Sequence, residues 1–347
     1  MKIDLRSDLT ARPTEAMVEA MVRATEMPGG FGLREDPTVA RLEALAAEKL
    51  GKEDALFVPT CMMANQIAIH VRCRPGDVFL TEAEAHVVTS ESAAASALSG
   101  AMPRFVGAVN GALDLDDLAA ALRPGDAQRA GVALVVQENT HARSGGRVVA
   151  FERMEDVSEM ARAQGVPVHL DGARIFNAAT ALGRPASDLA EFADTVSFNL
   201  NKGLCAPLGA ILAGTTDFVN DAVRVRQMFG GGWRPASIPA AAGIVALQSM
   251  VRRLGDDHTQ ARQLAQELAM IDGIMVDPAS TETNIVLVRP TTTSPSALSA
   301  SLEKLGVLVL PFGPYVRLVI HREINENAVE ETLNAFRSVL VGDDYGS

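Results

Sequence analysis

Apolar and polar positions along this chain follow two periods, and the places where one gives way to the other mark its elements. The first period is helical. Met17, Val18, Met21 and Val22 follow an opening Pro13-Thr14, and Val39, Leu42, Leu45, Ala46 and Leu50 make a stripe on a helix that Asp36 caps, Pro37 begins and Gly51 ends. Ala55-Leu56-Phe57-Val58 is a short apolar run, and Ala64, Ile67, Ala68 and Val71 return to helical spacing. Val78-Phe79-Leu80 and residues 132–136 read as buried strands, with helices predicted over 90–98, 114–122 and 151–164. Val168-x-Leu170 and Val196-x-Phe198 have a period of two, and 209–214 is a further strand. Apolar strands alternating with helices predict a mostly parallel sheet covered on both faces, an α/β architecture.

After Gly230-Gly231-Gly232 the pattern predicts a helix over 237–254, then a boundary at Gly255-Asp256-Asp257. A helix to 270, strands at 274–276, 285–288, 307–310 and 316–319, and a helix from 325 predict a small α+β domain. The expected division is an arm (1–12), a large domain (13–254) and a small C-terminal domain (255–347).

Composition narrows the partners. A chain of 347 residues that is 48% hydrophobic can bury a large core. Its net charge of −12 and lack of a basic run argue against nucleic acid and anionic membrane. No apolar run approaches the ~20 residues of a membrane span, and the charged start, Met1 to Asp8, has no secretory core. Cys61, Cys73 and Cys205 form no CxxC pair, so neither a disulfide framework nor a zinc site is indicated, and a reducing cytoplasm is the expected location.

The candidate chemistry lies at two strand ends. Asp171 closes one period-two strand and Lys202 follows the next, 31 positions on, the length of one strand–helix–strand unit. Parallel neighbours would present both at one edge of the sheet. A buried acid and a buried amine are costly unless they serve something. Pyridoxal phosphate needs this pair: a lysine for the Schiff base and a carboxylate on the pyridine nitrogen. The turn Thr60-Cys61-Met62 before a helix offers free backbone N–H groups for its phosphate. His169-x-Asp171 is either a metal pair or, in the favoured reading, a core histidine behind the site. The dinucleotide fingerprint, Walker A and His-Glu-x-x-His are absent, and no metal is expected.

Leu5-Arg6-Ser7-Asp8, Glu138-Asn139-Thr140-His141, Asp171-Gly172-Ala173-Arg174-Ile175-Phe176-Asn177-Ala178, Lys202-Gly203-Leu204-Cys205-Ala206-Pro207 and Arg317-Leu318-Val319 resemble the low-specificity L-threonine aldolases. These belong to the β-eliminating-lyase branch of fold-type I pyridoxal phosphate enzymes, and the likeness runs from Lys2 to about Leu340. It implies a seven-stranded sheet of that transferase-like fold, Cα–Cβ cleavage of a β-hydroxy-α-amino acid to glycine and an aldehyde, and a homodimer or homotetramer with shared sites. Carried over, Lys202 would form the Schiff base, Asp171 would pair with the pyridine nitrogen and His86 would stack on the ring. Ser7, Arg174 and Arg317 would hold the substrate carboxylate, with His141 near the β-hydroxyl. Thr60, Cys61, Met62 and a neighbouring subunit's Arg234 would meet the phosphate.

Departures from the family pattern lie at Met62, Asn201, the loop 31–37 and Trp233-Arg234-Pro235, all expected to line the pocket. They motivate an alternative β-elimination, dehydration or racemisation, and a further alternative of a protein that has lost catalysis.

Overall fold

The computed structural model describes residues 2–340; Met1 of the expected arm and 341–347 of the expected small domain lie outside them. Seven strands build the central sheet: β1 (Asp54–Val58), β2 (Val78–Thr81), β3 (Met102–Phe105), β4 (Val132–Glu138), β5 (Val168–Asp171), β6 (Thr195–Asn199) and β7 (Ala210–Gly214). They lie in the order β1-β7-β6-β5-β4-β2-β3. β7 runs antiparallel to both its neighbours, and the pairs from β6 to β3 are parallel.

Both faces are buried. Phe57, Leu80, Val135, Leu170, Phe198 and Ile211 pack into a core with Leu42, Met154 and Ile175. Leu56, Val58 and Leu212 pack on the other face under the helices Cys61–Arg72 and Thr216–Met228. Two caps explain where the flanking helices begin. Asp36 Oδ1 accepts from the N–H groups of Thr38 (2.9 Å) and Val39 (3.2 Å), and Thr60 Oγ1 accepts from Met63 N (3.1 Å).

Four features depart from the sequence expectation. β3 was not expected: it is an edge strand with Met102 and Phe105 exposed and Pro103 within it, so it carries no buried run to betray it. The helix expected over 90–98 is instead two short helices, His86–Thr89 and Ala94–Ser99, because the chain turns inward between them to bury Glu91. Gly255-Asp256-Asp257 does not break the chain; it lies inside the helix Leu254–Leu268, which continues from Ser237–Val245 through one π turn and one 3-10 turn. What changes there is the core, since residues up to Leu254 pack with the large sheet and those from Ala261 with the C-terminal strands.

The strand expected over 307–310 is split. Val307–Leu308 pairs in parallel with Ile3–Asp4, while Leu310–Phe312 joins Tyr315–Val319, Ile285–Pro290 and Ile274–Met275 in a four-stranded antiparallel sheet. The N-terminal arm is thereby fastened to the C-terminal sheet, with Leu5 in its core.

Candidate active site

Adjacent strands bring the chemistry to one edge. Asp171 of β5 lies opposite Glu138 of β4 and Ser197 of β6. Paired positions in a parallel sheet share a face, and here it is the one that the helix Cys61–Arg72 covers. Asn65 of that helix ties the edge together. Its Nδ2 donates to Asp171 Oδ2 (2.7 Å) and to Glu91 Oε1 (2.9 Å), and its Oδ1 accepts from Ser197 Oγ (2.6 Å). Ala173 N donates to Asp171 Oδ1 (3.0 Å). Each carboxylate oxygen keeps a free lone pair, so Asp171 can still accept from a pyridinium N–H.

His169 is fully buried on the same face, with Nδ1 against Thr195 Oγ1 (2.9 Å) and Nε2 against Asn65 Oδ1 (3.1 Å). Burial pushes its pKa down to about 4, so it stays neutral as a partner of Asn65.

Lys202 follows β6 and lines a cavity of about 200 Å³ with Ser7, His86, Glu138, Arg174 and Arg317. Burial holds the lysine pKa below its ordinary value, the Arg174 charge adds to that, and Asp8, Cys61 and Asp171 oppose it. An amine so placed is more readily unprotonated than a surface lysine.

The two arginines are held differently. The Nε and Nη2 of Arg174 donate to both oxygens of Asp8 (2.8 and 2.7 Å), and both residues are buried. The fork of Arg174 is therefore filled by a carboxylate of this chain, and Nη1 is the guanidinium nitrogen left over. Burial alone would raise the Asp8 pKa, but the Arg174 guanidinium outweighs it and holds the carboxyl well below the usual range. Arg317 donates from Nη2 to Arg6 O (3.1 Å), while its buried Nε has no partner among the described residues. Burial and the neighbouring Arg174 push the Arg317 pKa down to about 10. An unpartnered buried donor beside a second arginine is what a bound carboxylate would satisfy.

His86 lies at the start of its short helix, with its backbone N–H donating to Glu138 Oε2 (2.7 Å). Its Nδ1 lies 2.8 Å from Oε1 of the fully buried Glu91, whose other oxygen accepts from Gln66 Nε2 (2.6 Å). His86, Glu91 and Asp171 bring their ligand-type atoms within 4.8 Å, but both Glu91 oxygens are already hydrogen-bonded within the protein. The Glu91 contact is the main cause that raises the His86 pKa. Glu91→Gln is expected to move the His86 titration to lower pH, measured by NMR of labelled histidine. An unmoved titration would show that Glu91 does not set the charge on His86.

His141 is not brought to this cavity. Both ring nitrogens are engaged, Nδ1 with Ser144 Oγ (2.8 Å) and Nε2 with Glu82 Oε1 (3.0 Å), and the ring faces an adjoining chamber of about 310 Å³. Nor do the departures line it. Phe31 is 88% exposed, and Arg234 Nη1 donates to Phe31 O (2.7 Å) at a separate surface. Arg34 of the loop 31–37 pairs with Asp54 and Glu43. Asn201 accepts from Asn199 Nδ2 (2.8 Å). Thr60, Cys61 and Met62 lie at the N-terminus of the helix Cys61–Arg72, with Cys61 a buried thiol whose pKa burial raises.

Sequence reasoning gave no role to Asp8, Asn65, Glu91 or Glu138. Asp8 and Glu138 stand inside motifs that carry the family likeness; Asn65 and Glu91 lie among residues of ordinary helical and turn composition, with no local signal of their burial.

A probable low-specificity L-threonine aldolase 2 of Arabidopsis thaliana is 39% identical to this chain, over 97% of both. A low specificity L-threonine aldolase of Escherichia coli O157:H7 is 37% identical over 97% of this chain and 99% of its own. The solved threonine aldolase of Leishmania major superposes with a TM-score of 0.84 at 20% identity, covering 97% and 99% of the two chains, which shows a shared fold. The family model for beta-eliminating lyases matches residues 4–291, which contain both strand ends, and the chain belongs to that family.

Proposed function

We propose that this protein is a pyridoxal phosphate-dependent aldolase that cleaves the Cα–Cβ bond of L-threonine, L-allo-threonine or a related β-hydroxy-α-amino acid, releasing glycine and an aldehyde. The observation that carries this is the pairing of β5 with β6, which sets Asp171 and Lys202 at one sheet edge beside a cavity with an unpartnered arginine donor. The residues present fit the cofactor: an amine, an acid with free lone pairs, and the N–H groups at the start of the helix Cys61–Arg72.

When bound, pyridoxal phosphate supplies an electron sink for the pair released as the bond at Cα breaks. Lys202 would hold the cofactor, and its lowered pKa favours the unprotonated amine that this needs. Asp171 would hold the proton on the ring nitrogen, and Asn65 keeps Asp171 aimed. Ser7, Arg317 and the free nitrogen of Arg174 hold the substrate carboxylate and so decide which bond at Cα is oriented for cleavage. His86 is the base for the β-hydroxyl proton: Glu91 occupies Nδ1, and Nε2 is left for the substrate. His141 orders the wall beyond.

Incubation with L-threonine, L-allo-threonine and phenylserine is expected to yield glycine, measured by amino-acid analysis. No glycine from any of the three would reject the reading.

The site is proposed to be completed in a homodimer or homotetramer, with Arg234 reaching a neighbour's phosphate. Its position on the surface, away from its own chain's cavity, supports this. No described helix is long and apolar enough to cross a membrane, and the three free, buried cysteines support a reducing cytoplasm.

A further inference from the structure

Arg174 and Arg317 serve one carboxylate, which leaves Arg143 without a task. Arg143 lines both the reaction cavity and the adjoining chamber. Its ion-pair partner is Glu84, 4.0 Å away and largely exposed. Its guanidinium packs over the Phe312 ring at 4.9 Å from the centroid, and that of Arg317 packs over the same ring at 5.0 Å. One aromatic side chain thus carries two guanidinium groups at the mouth of one cavity.

The backbone that presents Arg143 is held in place. Ala142 N donates to Glu138 Oε1 (2.8 Å), and Gly146 N donates to His141 O (2.9 Å). Gly145 and Gly146 have φ of +84° and +73°. A Cβ on Gly145 would lie 2.9 Å from the Leu287 side chain, and one on Gly146 would lie 2.6 Å from Thr283 Oγ1. The turn is seated against the C-terminal sheet, so ordering Arg143 around a ligand costs little backbone entropy.

The carboxylates nearby are mostly engaged or exposed: Glu82 Oε1 lies 3.0 Å from His141 Nε2, and Glu84 is largely exposed. Asp8 is committed to Arg174, and Glu138 is pushed toward its neutral form by burial and by Asp171. A planar guanidinium recognises a carboxylate through two parallel hydrogen bonds.

We propose that Arg143 is a specificity residue that selects β-hydroxy-α-amino acids whose side chain ends in a carboxylate. This rests on the aldolase reading. With 3-hydroxyaspartate, the β-hydroxyl loses its proton, the Cα–Cβ bond breaks and Cβ becomes the aldehyde carbon of glyoxylate. The electron pair stays on Cα, which takes up one proton to give glycine. Arg317 holds the α-carboxylate and Arg143 the distal one.

The test compares kcat/KM for L-threo- and L-erythro-3-hydroxyaspartate, followed by glyoxylate, with that for L-threonine, followed by acetaldehyde, in the cofactor-loaded protein. The native protein is expected to favour hydroxyaspartate. Arg143→Ala is expected to lower the hydroxyaspartate-to-threonine ratio by about 10- to 100-fold. Arg143→Lys, a point charge without the fork, should give an intermediate ratio. Threonine cleavage with an unchanged ratio in both variants would overturn the role of Arg143 and leave the aldolase reading intact. Cleavage of neither substrate by the native protein would overturn both.

Discussion

Lys202→Ala is expected to lower kcat for glycine formation by roughly four orders of magnitude or more, because the residue acts covalently and no neighbour can replace it. The described cavity lining supplies arginines and a histidine beside Lys202, but no second lysine. Borohydride reduction and mass measurement give an independent readout: the native protein should gain the cofactor on residue 202 and the variant should not. Retention of glycine formation within about tenfold of native would show that the amine after β6 is not the group that carries the reaction.

Asp8→Ala is expected to destabilise the fold by about 3–5 kcal/mol, since it strands the Arg174 charge in a buried setting. Denaturant unfolding measures this, and Asp8→Ala combined with Arg174→Met should recover much of the loss, because removing both charges leaves none uncompensated. The pair also predicts acid sensitivity. A carboxyl held below its unfolded value contributes stability that is present above about pH 4 and is lost as pH falls through the folded value. The native protein should therefore lose stability below about pH 4 more steeply than Asp8→Ala. Parallel acid-unfolding curves for the two would show that the ion pair contributes nothing to folding. Asp8→Ala should also raise KM more than it lowers kcat, because Arg174 loses the partner that orients it for the substrate carboxylate.

How much of this was legible in the sequence follows from the range of the forces involved. Periodicity and caps are local. Val168-x-Leu170 and Val196-x-Phe198 announced β5 and β6, Asp36 and Thr60 announced their helices, and the polar residues ending those strands pointed to Asp171 and Lys202. The family motifs added Arg174 and Arg317, which do share the cavity of Lys202. The surroundings of those residues were not legible. Asp8 meets Arg174 across 166 positions and Asn65 meets Asp171 across 106, and no local spacing encodes such a meeting. The same limit hid the docking of Ile3–Asp4 on Val307–Leu308 and the diversion of His141 into the neighbouring chamber.

By itself, then, the order of residues determined the strands, the helix starts and the acid–amine pair, because each depends on neighbours a few positions away. Tertiary structure alone decided which carboxylate fills the fork of Arg174, which glutamate holds His86, and that Arg143 stands at the cavity mouth. Those outcomes depend on which distant segments the folded core brings within hydrogen-bonding distance.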